Sequence, residues 1–145
     1  MKEDKENCCP YEEAELIRFE DGLFGFESYK CFLPLPITED SDAVLNLLSV
    51  EDESLSFVIM NPFMLMKDYA PRLTEEIYEK LQADKETDLS YYVICVVGSR
   101  PEESTVNFKC PIVVNTVSRK AVQVILESEK YHFRHALKDL EKEEV

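Results

Sequence analysis

His132 and His135 stand three residues apart, a spacing that puts two imidazoles on one face if the segment is helical, and a thiolate from Cys110 would complete a ligand set of the kind zinc accepts. This is where residue types come nearest to metal chemistry. The competing reading is structural. In it His135 makes a hydrogen bond that fixes the C-terminal segment and Arg134 pairs with a carboxylate. The structural reading is preferred, so neither a metal nor a cofactor is expected. The remaining cysteines add nothing to such a site. Five is an odd number, no Cys-x-x-Cys spacing occurs, and no secretory segment precedes them, which together predict reduced thiols. Cys31, Cys95 and Cys110 read as small core hydrophobes. Cys8 and Cys9 read as free thiols in an acidic tail, a redox role for them staying open. No Gly-rich phosphate loop, Gly-x-Ser-x-Gly elbow or His-Glu-x-x-His motif is present. Acid pairs such as Glu75 and Glu76 read as a solvated face, because general acid–base work needs groups converging in a cleft. The sequence therefore predicts a protein that is not an enzyme.

The elements that would carry these residues are mostly strands. Val106, Phe108, Cys110, Ile112 and Val114 alternate with polar or small neighbours, the period that lines one face of a sheet. Val113 breaks the alternation, which predicts cover on both faces, and Pro111 demands a bend, bulge or edge. Residues 107–116 and 123–126 are read as a hairpin turning through 116–120. Upstream, residues 15–19 predict a first strand closed by the Glu20-Asp21-Gly22 turn, with Phe19, Phe24 and Phe26 packing on the fold. A strand over 29–35 has Tyr29, Cys31 and Leu33 on one side and is broken by Pro34 and Pro36, which mark an edge or an exit. An acidic loop over 38–42 follows. Residues 43–50 and 55–60 predict a second hairpin with the exposed acidic turn Glu51-Asp52-Glu53-Ser54, ended by Asn61-Pro62.

Phe63, Met64, Leu65 and Met66 then run without a polar interruption. They read either as a buried crossover or as an exposed patch for a partner, which methionine suits by its adaptable shape. Thr74 is placed as the N-cap of a short helix with Glu75 and Glu76 in its first turn and Ile77, Tyr78 and Leu81 on its apolar stripe. Residues 83–88 return the chain to 91–97, expected as the central strand, and residues 129–140 are read as a C-terminal helix.

With 145 residues the chain is expected to make one domain over 15–140, between acidic and poorly ordered tails at 1–14 and 141–145. Thirty acids against sixteen bases give a net charge of −14, which disfavours nucleic acid and anionic membranes and favours a basic partner. Apolar runs are too short to span a bilayer and no signal peptide is recognised, so a cytoplasmic protein is expected.

Five ordered blocks carry a family resemblance. These are Phe19-x-x-Gly22-Leu23-x-Gly25-Phe26-Glu27; Asn61-Pro62-Phe63 with Asp68-Tyr69; Asn107-x-x-x-Pro111-Ile112-Val113-Val114-Asn115-Thr116; Arg119-Lys120-x-x-Gln123-Val124-Ile125-Leu126; and Tyr131-x-x-Arg134-His135-x-Leu137. In this order the chain resembles the flagellar assembly factor FliW family. It departs from that pattern at Phe24, where the family usually has Pro, and at Ala121, where it usually has Gly, both read as turn positions. The resemblance implies a mainly β fold, a small antiparallel β-barrel of about eight strands with one or two short helices. It also implies two partners, flagellin and the translational repressor CsrA, with antagonism of CsrA acting away from its RNA-binding surface. The candidate partner-binding residues are Asn61, Phe63, Met64, Asp68 and Tyr69, with Glu51, Asp52 and Glu53 on the acidic turn. The alternative is a small-ligand-binding β-barrel or an enzyme with a buried site, resting on Cys110, His132 and His135.

Overall fold

Ile17 and Phe19 turn inward on either side of exposed Arg18, and this short strand, β1 (Ile17–Phe19), is where the sheet closes on itself. In the computed structural model, β1 pairs antiparallel with β2 (Cys31–Thr38), which continues through β3 (Ser41–Ser49) and β4 (Ser56–Met60) to β5 (Leu89–Val96). From β5 the sheet passes to β7 (Ile112–Asn115) and β8 (Lys120–Gln123), and β8 returns to β1 in parallel register, Arg18 opposite Lys120 and Phe19 opposite Ala121. Seven strands thus close a barrel. Two more, β6 (Thr105–Val106) and β9 (His135–Ala136), extend from the far end of β5, and two short helices, α1 (Pro62–Leu65) and α2 (Glu75–Lys80), lie between β4 and β5.

The structure describes residues 15–38, 41–52, 54–84, 89–96, 98–100 and 103–137. The expected tails with Cys8 and Cys9, the loop acids Glu39 and Asp40, the acid Glu53, the loop 85–88, Val97, Pro101 and Glu102, and the end of the expected C-terminal helix lie outside the described residues.

Alternation sorts the side chains into two cores. Every barrel strand contributes to the interior, including Phe19, Phe32, Leu47, Ile59, Ile112 and Val114, with Phe19 and Phe32 meeting edge to face at 5.5 Å between ring centroids. The second core lies outside the barrel wall. There the opposite faces of β5, β7 and β8, through Val93, Val113 and Val122, are covered by Tyr69, Leu81, Phe108 and Tyr131. Val113 breaks the sequence alternation for this reason: its strand is buried on both faces, as expected. The single apolar row drawn through Val106 and Val114 is corrected. Pro111 interrupts it, so Val106 and Phe108 belong to the outer core while Ile112 and Val114 belong to the inner one.

Other expectations are corrected too. The strand expected over 29–35 runs on to Thr38, with a register irregularity between Pro36 and Thr38, and of the edge or exit its prolines allowed it takes the edge. Beyond Phe32 it has, among the described residues, β3 alone as a neighbour, which is where prolines are tolerated. The second strand of the 107–126 hairpin begins at Lys120, not Gln123. Ala121 is buried within β8 rather than in a turn, and the left-handed turn residue is Arg119, at φ 66°. Residues 129–136 are not helical. They close the outer layer as a loop and as β9, which pairs with β6 because the preceding hydrogen bond from Lys109 N–H to His132 C=O already draws the segment across the sheet. Phe24 is exposed rather than packed, whereas half-exposed Phe26 meets Phe57 edge to face at 5.1 Å.

Asn115 ties the two layers together. Its Nδ2 donates to the Leu81 carbonyl (2.8 Å) at the end of α2, while its Oδ1 accepts from the N–H groups of Val117 and Ser118 in the β7–β8 turn. One buried amide therefore fixes both the turn and the helix above it.

Candidate functional site

The residues that would make a metal site are engaged otherwise. His135 Nε2 accepts the His132 backbone N–H at 2.9 Å, the two rings stack at 5.3 Å, and the His135 ring meets Phe108 edge-on at 4.9 Å. His135 thus fixes the C-terminal segment by a hydrogen bond and by packing on the outer core. Arg134, expected to pair with a carboxylate, has no such partner among the described residues. Cys110 is buried, and burial pushes its thiol above the ordinary range, more than the Asn107 side chain and the Lys109 charge lower it. Cys95 is raised by burial alone. Both therefore favour the neutral thiol, the form that is neither nucleophile nor metal ligand.

The expected partner residues fall in two places. Asn61 caps α1, its Oδ1 accepting from Phe63 N–H at 3.0 Å, and Pro62 occupies the first helical position, where the missing N–H costs nothing. That one turn of helix aims Phe63 and Met64 outward, 41% and 61% exposed, and turns Leu65 and Met66 toward the outer core. The apolar run is therefore half exposed and half packed on the core, divided by helical geometry. Asp68 is exposed beside it.

Tyr69 is 4% exposed and supports this surface from beneath. Its hydroxyl donates to the Phe108 carbonyl at 2.7 Å, and its ring lies 4.7 Å from Tyr131, 5.0 Å from Phe108 and 5.9 Å from Phe63. Burial first, and the neighbouring tyrosines and Cys110 next, push its phenol well above the usual value. Phe63 also meets Tyr91 edge to face at 5.5 Å, so an exposed aromatic is held on a rigid aromatic base.

The acidic turn sits at the other end of β4, whose five residues span about 17 Å. Glu51 there accepts from the N–H groups of Lys30 and Cys31, at 2.6 and 3.0 Å, which fastens the turn to the start of β2. Asp52 accepts from the Ser54 hydroxyl and N–H, contacts that hold its carboxyl below the usual range. Glu51 and Asp52 thus have a structural use, and this turn and α1 do not form one compact site.

One concavity was not visible in the sequence. It is a groove of about 770 Å³ between the β8 end of the sheet and the segment leading into α2, lined by Phe24, Arg72, Ile77, Ile125 and Lys130 among others. Its walls come from stretches some fifty residues apart, so no local pattern could have announced it; the exposed apolar Ile125 was the available signal.

Comparison with known proteins places these features. The family model described as FliW protein matches residues 2–137. The chain is 37% identical over 123 residues to the flagellar assembly factor FliW of Alkaliphilus metalliredigens, covering 85% of this chain and 76% of that protein. It is 35% identical over 130 residues to the factor of the same name from Clostridium botulinum, covering 90% of each. A crystal structure of the flagellar assembly factor FliW superimposes with a TM-score of 0.81 at 35% identity, over 89% of both chains.

Proposed function

The chain belongs to the FliW family of flagellar assembly factors, and from that membership we propose that it works by binding newly made flagellin and, in the alternative, the translational repressor CsrA. Held by flagellin, it leaves CsrA on its messenger RNA; released when flagellin is exported, it holds CsrA off and flagellin synthesis resumes. It acts as a binding protein of the cytoplasm and not as an enzyme. No helix among the described residues is long and apolar enough to cross a membrane. The observation that carries the reading is the family match along nearly the whole chain, on a fold whose barrel interior is filled with side chains.

The surface we put forward for a partner is the exposed side of α1, where Phe63 and Met64 stand beside Asp68. Such a patch combines a rigid aromatic with an adaptable methionine, a pairing suited to the centre of an interface.

The charge of −14 supports a second proposed role, the steering of a basic partner. Association with CsrA should slow severalfold between low and physiological salt while dissociation changes little, because screening acts on the long-range approach. Stopped-flow mixing measures both rates. An association rate independent of salt would leave the acidic surface with a solubility role only.

A further inference from the structure

Two stretches of sheet edge that are open among the described residues are treated differently by the chain. On β2, the register with β3 and the bond from Val50 N–H to Cys31 C=O direct the N–H positions of residues 34 and 36 away from β3. Both positions are proline, so that edge offers no donor where another strand would look for one. In the extended continuation of β8, the N–H groups of Val124 and Leu126 donate to the carbonyls of Pro111 and Lys109 on the β7 side, and alternation directs those of Gln123 and Ile125 the other way. β1 has ended by then, its last pairing being Phe19 with Ala121. The outward N–H groups of Gln123 and Ile125 have no partner among the described residues, and they face the 770 Å³ groove. Side chains on the inner side of this edge, Val124 and Leu126, join the apolar wall that Leu73 and Ile77 complete across the groove.

The groove's charge runs against that of the whole chain. Arg72, Lys80 and Lys130 line it against Asp21 and Glu127, and Asp21 is engaged by Lys80 at 3.1 Å. Arg72 and Lys130 pair with no carboxylate among the described residues.

We propose that this groove is a docking site for an extended peptide segment of a partner protein, in which apolar residues alternate with acidic ones, and that the segment adds as a β-strand to the open edge at Gln123 and Ile125. Main-chain hydrogen bonds to that edge supply the alignment, apolar side chains enter the groove, and the two unpaired cations select the acids. A flat strand edge of a protein this acidic would otherwise repel such a segment. The site lies apart from the α1 patch and does not depend on which proteins the family reading names.

The test uses a doubly blocked synthetic heptapeptide alternating valine and glutamate, labelled for fluorescence anisotropy, with the full chain. Saturable binding below millimolar concentration is expected, with amide exchange at Gln123 and Ile125 slowed on addition while Val124 and Leu126 stay protected throughout. Ile125→Pro removes an outward donor that the fold does not use and should weaken binding at least tenfold. Should that variant fail to fold, two further measurements decide: the same peptide methylated on alternate backbone nitrogens, and the double variant Arg72→Glu with Lys130→Glu, each expected to lose at least tenfold. Absence of saturable binding, or binding indifferent to backbone methylation and to charge reversal, would overturn the proposal.

Discussion

Replacing Tyr69 by alanine should lower the free energy of unfolding by about 3–5 kcal/mol, the range for truncating a buried aromatic. The side chain is the joint of the outer core. Its ring touches Phe63, Phe108 and Tyr131, and its hydroxyl is the hydrogen-bond donor on the Phe108 carbonyl. Tyr69→Phe isolates the hydroxyl and should cost about 1–3 kcal/mol, because a buried acceptor is left without its donor. Phe63→Ala and Met64→Ala sit above the same joint but face outward, and Met64→Ala should leave stability within about 0.5 kcal/mol. The series separates frame from surface. If Met64→Ala weakens partner binding with its unfolding curve unchanged while Tyr69→Ala loses both, α1 is the presenting element and Tyr69 its support.

The phenol adds a pH dependence with a definite sign. In the unfolded chain Tyr69 ionises near the usual value of about 10. Burial raises the folded value above that, so its contribution to stability is complete below pH 10 and is lost as pH rises toward the folded value. Denaturant unfolding between pH 9 and 11 should therefore show a fall that is smaller in Tyr69→Phe.

Substituting Gly22 by alanine should cost about 2–5 kcal/mol, an effect unusual for a turn residue. Two causes combine. Gly22 has φ 69°, where a side chain costs about 1–2 kcal/mol. A Cβ placed there would also lie 2.5 Å from Glu27 Cα and 2.6 Å from the Glu27 carbonyl oxygen, backbone atoms that cannot rotate aside, and such overpacking costs about 1–3 kcal/mol. Gly25→Ala, at φ 87° but with open space around it, should show the conformational part alone. The difference between the two variants, read from urea unfolding, measures the close approach of the 22–27 loop. Equal costs at the two glycines would show that this loop relaxes freely.

How much of this could be read in the residues depends on whether a feature is local. The β3–β4 hairpin, the Asn61-Pro62 stop and the Thr74 cap of α2 were legible because each is decided by a few consecutive residues. Pro111 announced a break, yet its consequence, a change of core between Phe108 and Ile112, was not legible, since it depends on what covers each face of β7. The parallel closure of β8 on β1 joins residues about one hundred positions apart, and no turn constrains it. Residues 129–136 resemble a helix in composition and are drawn out instead by β6 and by the Lys109 bond. At the candidate site, the apolar run through Met66 was visible, but its division into outward Phe63 and Met64 and inward Leu65 and Met66 required the one-turn helix. Likewise, nothing in the spelling of Glu51-Asp52 distinguishes an interface acid from one that accepts Lys30 and Cys31 amides.

The proposed mutually exclusive binding of flagellin and CsrA is open to a competition titration. A complex of the purified chain with labelled CsrA is titrated with flagellin monomer, and the bound fraction is followed by anisotropy at physiological salt. Complete displacement of CsrA is expected, with a midpoint that shifts to higher flagellin concentration in proportion to the CsrA excess. A stable ternary complex, or failure of either protein to bind the chain alone, would contradict it.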